Sequence, residues 1–232
     1  MEIKGSIALV TGANRGLGKA LVERLLAEGA RKIYAAARDP AKIRVAGLEP
    51  VKIDITEPAD VAAAAQKCAD VTLLFNNAGV APTNTLAEDP SLKIARAAME
   101  TNYFGTLRMC NAFAPILGRN GGGALINMLS VLSWITMPPL DAYSASKAAE
   151  WSLTNALRAQ LKRQKTLVIG VHAGFIDTEM VASLPGAKTR PEDIVAQIIE
   201  AIKTGREEAL ADDTARHVKA GLAEARPAYL GA

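Results

Sequence analysis

Tyr143 and Lys147 are the residues whose types and spacing most directly suggest chemistry. They lie four positions apart in AYSASKAAEWSL (142–153), a segment rich in helix formers, so both side chains project from one face of the predicted helix. A phenol, with a pKa of about 10, is a poor base at neutral pH, whereas a cation one turn away favours the phenolate. The pair therefore predicts a group that donates and accepts a proton, although the same spacing also occurs on ordinary helix surfaces.

Ser130 and Asn102 are two polar residues whose positions fit the same chemistry. Ser130 ends the strand-like run ALINMLS (124–130), and a hydroxyl at a strand end is well placed to contact a ligand in the adjoining crevice. Ser133 competes for this role, but we interpret it as a loop hydroxyl bonded to nearby backbone. Asn102 lies inside the helical pattern of AMETNYFGTL (98–107) although asparagine is a poor helix former. It indicates either a functional amide or a surface or capping amide.

A glycine-rich turn follows the first predicted strand in TGANRGLGKALVERLL (11–26). Glycine permits positive φ and lets backbone N–H groups approach an anion at the positive end of a helix. Because a strand precedes the turn and an amphipathic helix follows it, the turn predicts a nucleotide-binding site. The predicted contacts within the turn are Gly12, Asn14, Arg15, Gly16, Leu17 and Gly18.

The T-G-x-x-x-G-x-G spacing of this turn resembles the short-chain dehydrogenase/reductase family. Together with the motifs around Asn102, Ser130 and Tyr143, the resemblance covers about residues 5 to 205. It implies that Tyr143 donates the proton, that Ser130 polarises the substrate carbonyl, and that Lys147 binds the nicotinamide ribose. Asn102 is then expected to hold a water molecule that links the lysine to solvent, which completes a proton relay.

The resemblance also assigns cofactor contacts beyond the glycine-rich turn. It implies that Asp54, beside Ile55, accepts a hydrogen bond from the adenine amino group. In the NNAG segment (76–79), residues from Asn77 onward are expected along the ribose and adenine, while Asn76 has the alternative role of tying adjacent strands together. The complete implied set on this side is Asp54, Ile55, Asn77, Ala78 and Gly79.

The segment HAGFIDTEM (172–180) corresponds to the family's nicotinamide loop, with Ala173 in place of the usual proline. Loss of the proline frees one φ angle and is expected to loosen the loop. His172, which precedes the loop, has no ligand-like partner and is expected to be packed or hydrogen-bonded. The resemblance assigns Gly174, Ile176 and Thr178 to the nicotinamide carboxamide and the pyrophosphate.

Two arginines favour NADP(H) over NAD(H). The residue that contacts the adenosine ribose is expected about 20 residues after the turn, at the end of the second strand. There AAARDP (35–40) places Arg38, and Arg15 in the turn is expected to converge on the same place. Two guanidinium groups suit a 2′-phosphate and are poor partners for a bare diol. Asp39 is the counter-signal, and either arginine alone is compatible with a solvated charge.

Six short apolar runs alternate with longer segments of helical periodicity, such as that of Leu17, Leu21 and Leu25. Strands that alternate with helices indicate a parallel sheet covered on both faces. We therefore predict an α/β protein with a three-layer Rossmann fold and a doubly wound parallel sheet of about seven strands, in one domain spanning residues 1–232. The six runs are residues 7–11, 32–36, 50–54, 71–76, 124–129 and 167–173.

Composition excludes several other classes of protein. Of the 232 residues, 50% are hydrophobic and the net charge is only +3, which is too small for a nucleic-acid-binding surface. No apolar run approaches the roughly 18 residues of a membrane span, and the start MEIKGSIALVTG lacks the apolar core of a signal peptide. We expect a cytoplasmic protein that binds neither nucleic acid nor membrane. Cys68 and Cys110 are predicted to be reduced core thiols, and no metal site is expected.

The predicted function is that of an NADP(H)-dependent carbonyl reductase or alcohol dehydrogenase. Its substrate is expected to be a small hydrophobic ketone, aldehyde or secondary alcohol, because the segments flanking the site are apolar. One alternative is a silent NADP-binding sensor or scaffold; another, a nucleotide-sugar epimerase or dehydratase, normally needs a longer C-terminal region. The apolar residues that suggest this substrate, and that are equally compatible with plain core, are Val131, Leu132, Trp134, Met137, Leu140, Met180, Val181, Leu184 and Pro185.

The quaternary structure follows from the family resemblance, which implies a homodimer or homotetramer. The helical segments near 92–117 and 143–163 are the expected interface, since their apolar residues are not confined to one narrow stripe. The packing of the C-terminal tail, residues 212–232, is left open between contact with a neighbouring subunit and a loose end.

Overall fold

The computed structural model describes residues 1–83 and 91–230 and contains one seven-stranded parallel sheet. The strand order is β3-β2-β1-β4-β5-β6-β7, so the chain winds outward from β1 in one direction and from β4 in the other. This order confirms the predicted doubly wound α/β fold. The strands are β1 (Ile7–Thr11), β2 (Lys32–Ala37), β3 (Glu49–Lys52), β4 (Leu73–Asn76), β5 (Ala124–Met128), β6 (Leu167–His172) and β7 (Glu208–Leu210).

The strand boundaries differ from the predicted ones mainly at the ends of the apolar runs. The third strand is Glu49–Lys52 rather than 50–54, and the fourth begins at Leu73 rather than at 71. The apolar residues just outside these strands are still buried, which is why composition alone could not place the ends. None of the six runs corresponds to β7, because a strand of three residues is too short to show a periodic pattern.

Helices cover both faces of the sheet. On one face α1 and α6 pack against β1, β2 and β6, while α2, α4 and α5 pack on the other face. The Leu17, Leu21 and Leu25 stripe of α1 is buried in the first of these layers, as its spacing predicts. The helices are α1 (Gly16–Ala27), α2 (Pro58–Lys67), α3 (Lys93–Met99), α4 (Thr106–Arg119), α5 (Asp141–Leu161), α6 (Pro191–Thr204) and α7 (Asp213–Gly221).

The C-terminal tail packs against the body of the protein through α7. Asp212 caps α7 by accepting a hydrogen bond from the N–H of Ala215, and Val218 on the same helix packs into a third apolar cluster with Leu140. A short 3₁₀ turn, Ala228–Leu230, follows, and residues 231–232 of the tail lie outside the described part of the chain. Contact with the chain's own apolar cluster therefore accounts for the packing of α7.

Two further sequence expectations concern the thiols and membrane insertion. Cys68 and Cys110 are both buried free thiols, as predicted, and burial raises the pKa of Cys68 to about 12. Within residues 1–83 and 91–230, none of the helices combines the length and hydropathy that a transmembrane helix requires.

Candidate active site

A cavity of about 600 Å³ opens at the carboxyl ends of the strands, where the winding direction changes between β1 and β4. In open α/β sheets this switch point is the usual place for a ligand. The cavity is lined by residues that follow six of the strands. The predicted site residues that line it are Gly12, Asn14, Arg15, Gly16, Leu17, Gly18, Arg38, Asp54, Ile55, Asn77, Ala78, Gly79, Ser130, Tyr143, Lys147, Gly174, Ile176 and Thr178.

The glycine-rich turn between β1 and α1 has the geometry of an anion cradle. Gly12 and Gly16 have φ of +67° and +51°, and a Cβ added to Gly18 would lie 2.1 Å from the carbonyl oxygen of Gly12. The first turn of α1 has no acidic residue, and its N-cap, Arg15, makes no side-chain capping hydrogen bond. The N-terminal N–H groups of α1 thus retain donors for a negatively charged group, and the turn fits a dinucleotide pyrophosphate.

Arg38 and Arg15 both line the cavity, at the end that is predicted to hold the adenosine. Arg38 is exposed at the end of β2, whereas Arg15 forms an exposed ion pair with Glu179 on the opposite wall. Asp39, the counter-signal in the sequence, does not line the cavity: its carboxylate accepts a hydrogen bond from the N–H of Ala41 and pairs with Lys42. The charges facing this end of the cavity from β2 and the turn are therefore positive.

The residues on the adenine side are held by local hydrogen bonds. Asp54 Oδ1 accepts from the N–H and hydroxyl of Thr56, at 3.0 and 2.7 Å. Asn77 Nδ2 donates to the carbonyl of Thr11 at 2.8 Å, which fixes the segment after β4 against the glycine-rich turn. Asn76 instead donates to Asn127 Oδ1 at 2.8 Å and ties β4 to β5, the strand-linking role considered from the sequence.

Ser130, Tyr143 and Lys147 lie around the middle of the cavity. Ser130 lies two residues after the end of β5 and caps a 3₁₀ turn, Val131–Ser133, where its Oγ accepts from the N–H of Leu132 at 3.1 Å. Ser133 Oγ donates to the carbonyl of Ser130 at 2.6 Å and does not line the cavity, so it is the loop hydroxyl we expected. Lys147 Nζ lies 5.8 Å from the centre of the Tyr143 ring.

Lys147 is almost completely buried and is fixed at two points. Its Nζ donates to the carbonyl of Met128, the last residue of β5, and to Oε2 of Glu150, both at 2.6 Å. Burial disfavours the ammonium, but the interactions with Glu150 and Tyr143 outweigh it and raise the pKa of Lys147 above its ordinary value. The sequence did not identify Glu150. A signal was nevertheless present, because Tyr143, Lys147, Glu150 and Thr154 form a polar stripe at helical spacing.

Asn102 is the one predicted catalytic residue that does not line the cavity. It is fully buried within a π-helical segment, Glu100–Gly105, that joins α3 to α4. Its side chain pairs with the backbone of Val80 and donates to Ser146 Oγ at 2.9 Å. The helix is thus irregular at Asn102, whereas the role of this residue in a water relay stays a prediction.

The predicted nicotinamide loop is held by a residue that the sequence did not indicate. The N–H of Gly174 donates to Oδ2 of Asp212 at 2.8 Å, so the N-cap of α7 also fixes this loop. Thr178 Oγ1 donates to the carbonyl of Ile176 at 3.3 Å. Ala173, in the proline position, is buried, and its carbonyl accepts from the N–H of Val131.

His172 is a packed residue, as expected. Its ring is completely buried and stacks on Trp134 with the ring centroids 3.8 Å apart, and Nδ1 lies 3.2 Å from both Ser133 Oγ and the Ser130 carbonyl oxygen. Burial, opposed by the hydrogen bond to Ser130, lowers the pKa of His172 to about 3. The imidazole is therefore neutral near pH 7.

The end of the cavity beyond Tyr143 is largely apolar, but three predicted pocket residues do not line it. Trp134 stacks on His172 beneath the cavity wall, Leu184 packs into the apolar cluster under α7, and Pro185 is exposed. The predicted residues that do line the cavity are Val131, Leu132, Met137, Leu140, Met180 and Val181. Sequence reasoning missed the contribution of Phe175 to this wall. It also missed Thr214 and Val218 on α7, because a helix far along the chain gives no local signal of its contact with this site.

Metal chemistry finds no support in the side-chain arrangement. Among the residues that the structure describes, no three His, Cys, Asp or Glu side chains are grouped so that they could hold an ion.

Comparison with known proteins finds a matching family model and a curated relative. A family model described as "short chain dehydrogenase" matches residues 6–188. A curated relative, an uncharacterized oxidoreductase of Staphylococcus saprophyticus, is 27% identical over 88% of this chain and 93% of its own length.

Two solved structures are similar over almost the whole chain. A short chain dehydrogenase from Burkholderia cenocepacia in complex with NADP is 43% identical, with a TM-score of 0.93 over 97% of this chain and 96% of that one. A short chain dehydrogenase/reductase from Burkholderia phymatum in complex with NAD is 26% identical, with a TM-score of 0.83 over 96% and 95% of the two chains. The two neighbours thus hold different nicotinamide cofactors.

Proposed function

This chain belongs to the short-chain dehydrogenase/reductase family, and on that basis we propose that it is an NADP(H)-dependent oxidoreductase acting on small hydrophobic ketones, aldehydes or secondary alcohols. The observation that carries the proposal is that one cavity joins the anion cradle of the glycine-rich turn to Ser130, Tyr143 and Lys147. Bound there, the nicotinamide would supply hydride exchange with the carbonyl carbon. The chain itself would have to bind, orient and move a proton.

Proton movement is assigned to Tyr143. Its phenol lines the cavity and lies on the same helical face as Lys147, whose ammonium favours the phenolate when a proton leaves. Ser130 Oγ, which accepts one backbone hydrogen bond, retains its own O–H to donate to a carbonyl oxygen. Together these groups would deliver a proton to that oxygen during reduction and remove it during oxidation.

A preference for NADP(H) is the finer part of the proposal. Arg38 and Arg15 line the cavity, whereas Asp39 does not line it and accepts a hydrogen bond from the N–H of Ala41. A neighbour that is 43% identical was solved with NADP, whereas the one solved with NAD is 26% identical. The arginines would pair with a 2′-phosphate, provided that Arg15 exchanges Glu179 for this ligand.

A hydrophobic substrate is proposed from the walls beyond Tyr143. Leu132, Met137, Leu140, Val181 and Val218 give this end an aliphatic surface. An apolar ketone that binds there would bury its surface against these side chains, which is favourable by roughly 25 cal/mol of free energy per Å² of apolar area removed from water.

Three coarser expectations belong to the same proposal: that residues 1–232 form one catalytic domain, that the protein is cytoplasmic, and that it forms a homodimer or homotetramer.

Phe104, in the π-helical segment, and Leu92, which precedes α3, are 43% and 50% exposed. Large apolar side chains exposed on the helical layer fit a subunit interface there. Sedimentation of wild type and Phe104→Glu protein tests this point, and a monomer in both would contradict it.

The proposed function is tested by following oxidation of NADPH and NADH with a panel of carbonyls, such as cyclohexanone, 2-octanone, acetophenone and benzaldehyde, against glucose as a polar carbonyl. We expect turnover of the apolar compounds with NADPH. Tight NADPH binding without turnover of any carbonyl would overturn the proposal in favour of a cofactor sensor.

A further inference from the structure

Glu150 is a buried carboxylate to which the proposed reaction assigns no role. Its side chain is 2% exposed, and that of Lys147, one helical turn earlier, is 7% exposed. Glu150 Oε2 accepts the hydrogen bond of Lys147 Nζ at 2.6 Å, while Oε1 accepts a longer one from Thr106 Oγ1 at 3.4 Å. Lys147 lines the cavity, whereas Glu150 does not.

Packing alone gives a poor account of this residue. Removing two charges from water costs several kcal/mol per ion, and a well-packed apolar pair is often as stable as a buried ion pair. Met109, Phe113 and Leu157, which α4 and α5 contribute to the core layer on this face of the sheet, are apolar. A carboxylate in this layer is best explained by what it does to the ammonium beside it.

The geometry shows how Glu150 acts on Lys147. An ammonium has three N–H donors, of which Met128 and Glu150 hold two, so one N–H of Lys147 is left for a ligand in the cavity. Without the carboxylate, the same burial would favour the neutral amine, since isolated buried lysines lose several pH units of basicity. A neutral amine could not favour the Tyr143 phenolate.

Other titratable groups near the pair do not supply this charge. Burial raises the pKa of Cys110 on α4 and lowers that of His172 on β6 to about 3, so both are neutral near pH 7. Lys93 and Arg96 on α3 are exposed to solvent, and Glu100 of the π-helical segment pairs with Arg108. On α5 itself, the ring centre of Tyr143 lies 5.8 Å from Lys147 Nζ.

We propose that Glu150 is a positioning residue that keeps the Lys147 ammonium charged and directed at the cavity. The proposal deepens the function proposed above and rests on it for its catalytic meaning. Its structural content, a buried lysine held charged by one carboxylate, is independent of which carbonyl is reduced.

The direct test is the titration of Lys147 in the protein without cofactor. Lysine 13Cε resonances are recorded against pH, with Lys147→Met identifying the Lys147 signal. In wild type we expect Lys147 to remain charged through pH 10. In Glu150→Gln, its midpoint should fall by about one pH unit or more, because the hydrogen bond survives but the charge does not. Glu200→Gln, at an exposed position on α6, is the matched control and should leave the titration unchanged.

Two further measurements keep the test decisive. Glu150→Asp, which retains the charge but shortens the side chain, should give a midpoint between those of wild type and Glu150→Gln, and it replaces Glu150→Gln if the latter does not fold. In oxidation of 2-octanol with NADP, kcat of the wild type should stay constant at alkaline pH. In Glu150→Gln, kcat should instead fall about tenfold per pH unit above the new midpoint of Lys147.

A Lys147 midpoint that is the same in wild type and in the folded Glu150 variants would overturn the inference. If no alcohol or carbonyl is turned over, the proposed function fails, but the Lys147 titration still decides the role of Glu150. The two failures are therefore distinguishable.

Discussion

The side chain of Asn102 pairs with both backbone groups of Val80: Nδ2 donates to the carbonyl and Oδ1 accepts from the N–H, each at 2.9 Å. Nδ2 also donates to Ser146 Oγ, whose own proton goes to the carbonyl of Tyr143. Asn102 thus joins the cavity wall after β4 to the helix that carries Tyr143. Its burial within a π-helical segment therefore has a direct structural reason.

We predict that Asn102→Asp destabilises the fold, because a carboxylate oxygen would replace the amide that donates to Val80 and Ser146. Leaving such buried groups unpaired costs about 1–3 kcal/mol in the free energy of unfolding. Denaturant unfolding measures this, with Asn155→Asp on the exposed side of α5 as control. Equal losses in the two variants would show that the Asn102 contacts are not important.

Cofactor choice is predicted to depend on Arg38. Arg38→Asp should raise the KM for NADPH about 10-fold to 100-fold, since a charge-assisted hydrogen bond contributes roughly 1.5–3 kcal/mol, and change that for NADH much less. Arg31→Asp, at the opposite end of β2, is the control and should leave both values near wild type. An unchanged NADPH to NADH ratio in Arg38→Asp would contradict the 2′-phosphate assignment.

Acid stability is predicted to depend on His172. Its pKa in the folded protein is about 3, whereas an exposed histidine titrates near pH 6.5. Above about pH 6.5 the residue is neutral in both states and its contribution to stability is complete. Between about pH 6.5 and 3 only the unfolded chain binds this proton, so the free energy of unfolding falls by up to about 1.4 kcal/mol per pH unit.

His172→Gln should therefore flatten the dependence of unfolding free energy on pH between about 6 and 4, even if it lowers stability at pH 7. The matched control is His217→Gln, because His217 is the other histidine of the chain and is exposed on α7. Identical slopes in wild type and His172→Gln would exclude the assigned burial of a neutral imidazole.

Asp212 is predicted to hold the substrate side of the cavity together. Its carboxylate caps α7 and binds the N–H of Gly174, so Asp212→Ala should cost about 2 kcal/mol of stability and weaken NADPH binding through the loosened loop. Asp213→Ala changes a fully exposed side chain next to it and should have little effect. Thermal unfolding measures the stability of both variants, and NADPH fluorescence measures their cofactor binding. Similar values for the two variants would contradict the role assigned to Asp212.

Much of the fold and of the cofactor side could be predicted from local sequence. The glycine-rich turn, the strand ends at Arg38 and Asp54 and the Tyr143–Lys147 pair each lie within a short segment whose pattern fixes its own geometry. Because parallel strands bring their carboxyl ends to one edge, these separate segments converge on one cavity without any further information.

What the sequence did not indicate depends on contacts between distant segments. Asp212 reaches Gly174 across 38 positions, and Val218 reaches the cavity only because α7 folds back on it. β7 is too short to produce a period. Glu150 was visible in the polar stripe of α5, but its contact with Thr106 and its complete burial required the packing of α4 against that helix.

The most direct test of the account is Tyr143→Phe, measured for both turnover and cofactor binding, with Tyr229→Phe at an exposed position as control. Removal of one hydroxyl should reduce kcat for carbonyl reduction by about 10²-fold to 10⁴-fold, the usual contribution of a positioned proton donor, while the Kd for NADPH stays within about threefold of wild type. Tyr143→Phe protein that binds NADPH and reduces the same carbonyl at the wild-type rate would contradict the assignment of Tyr143 as the proton donor.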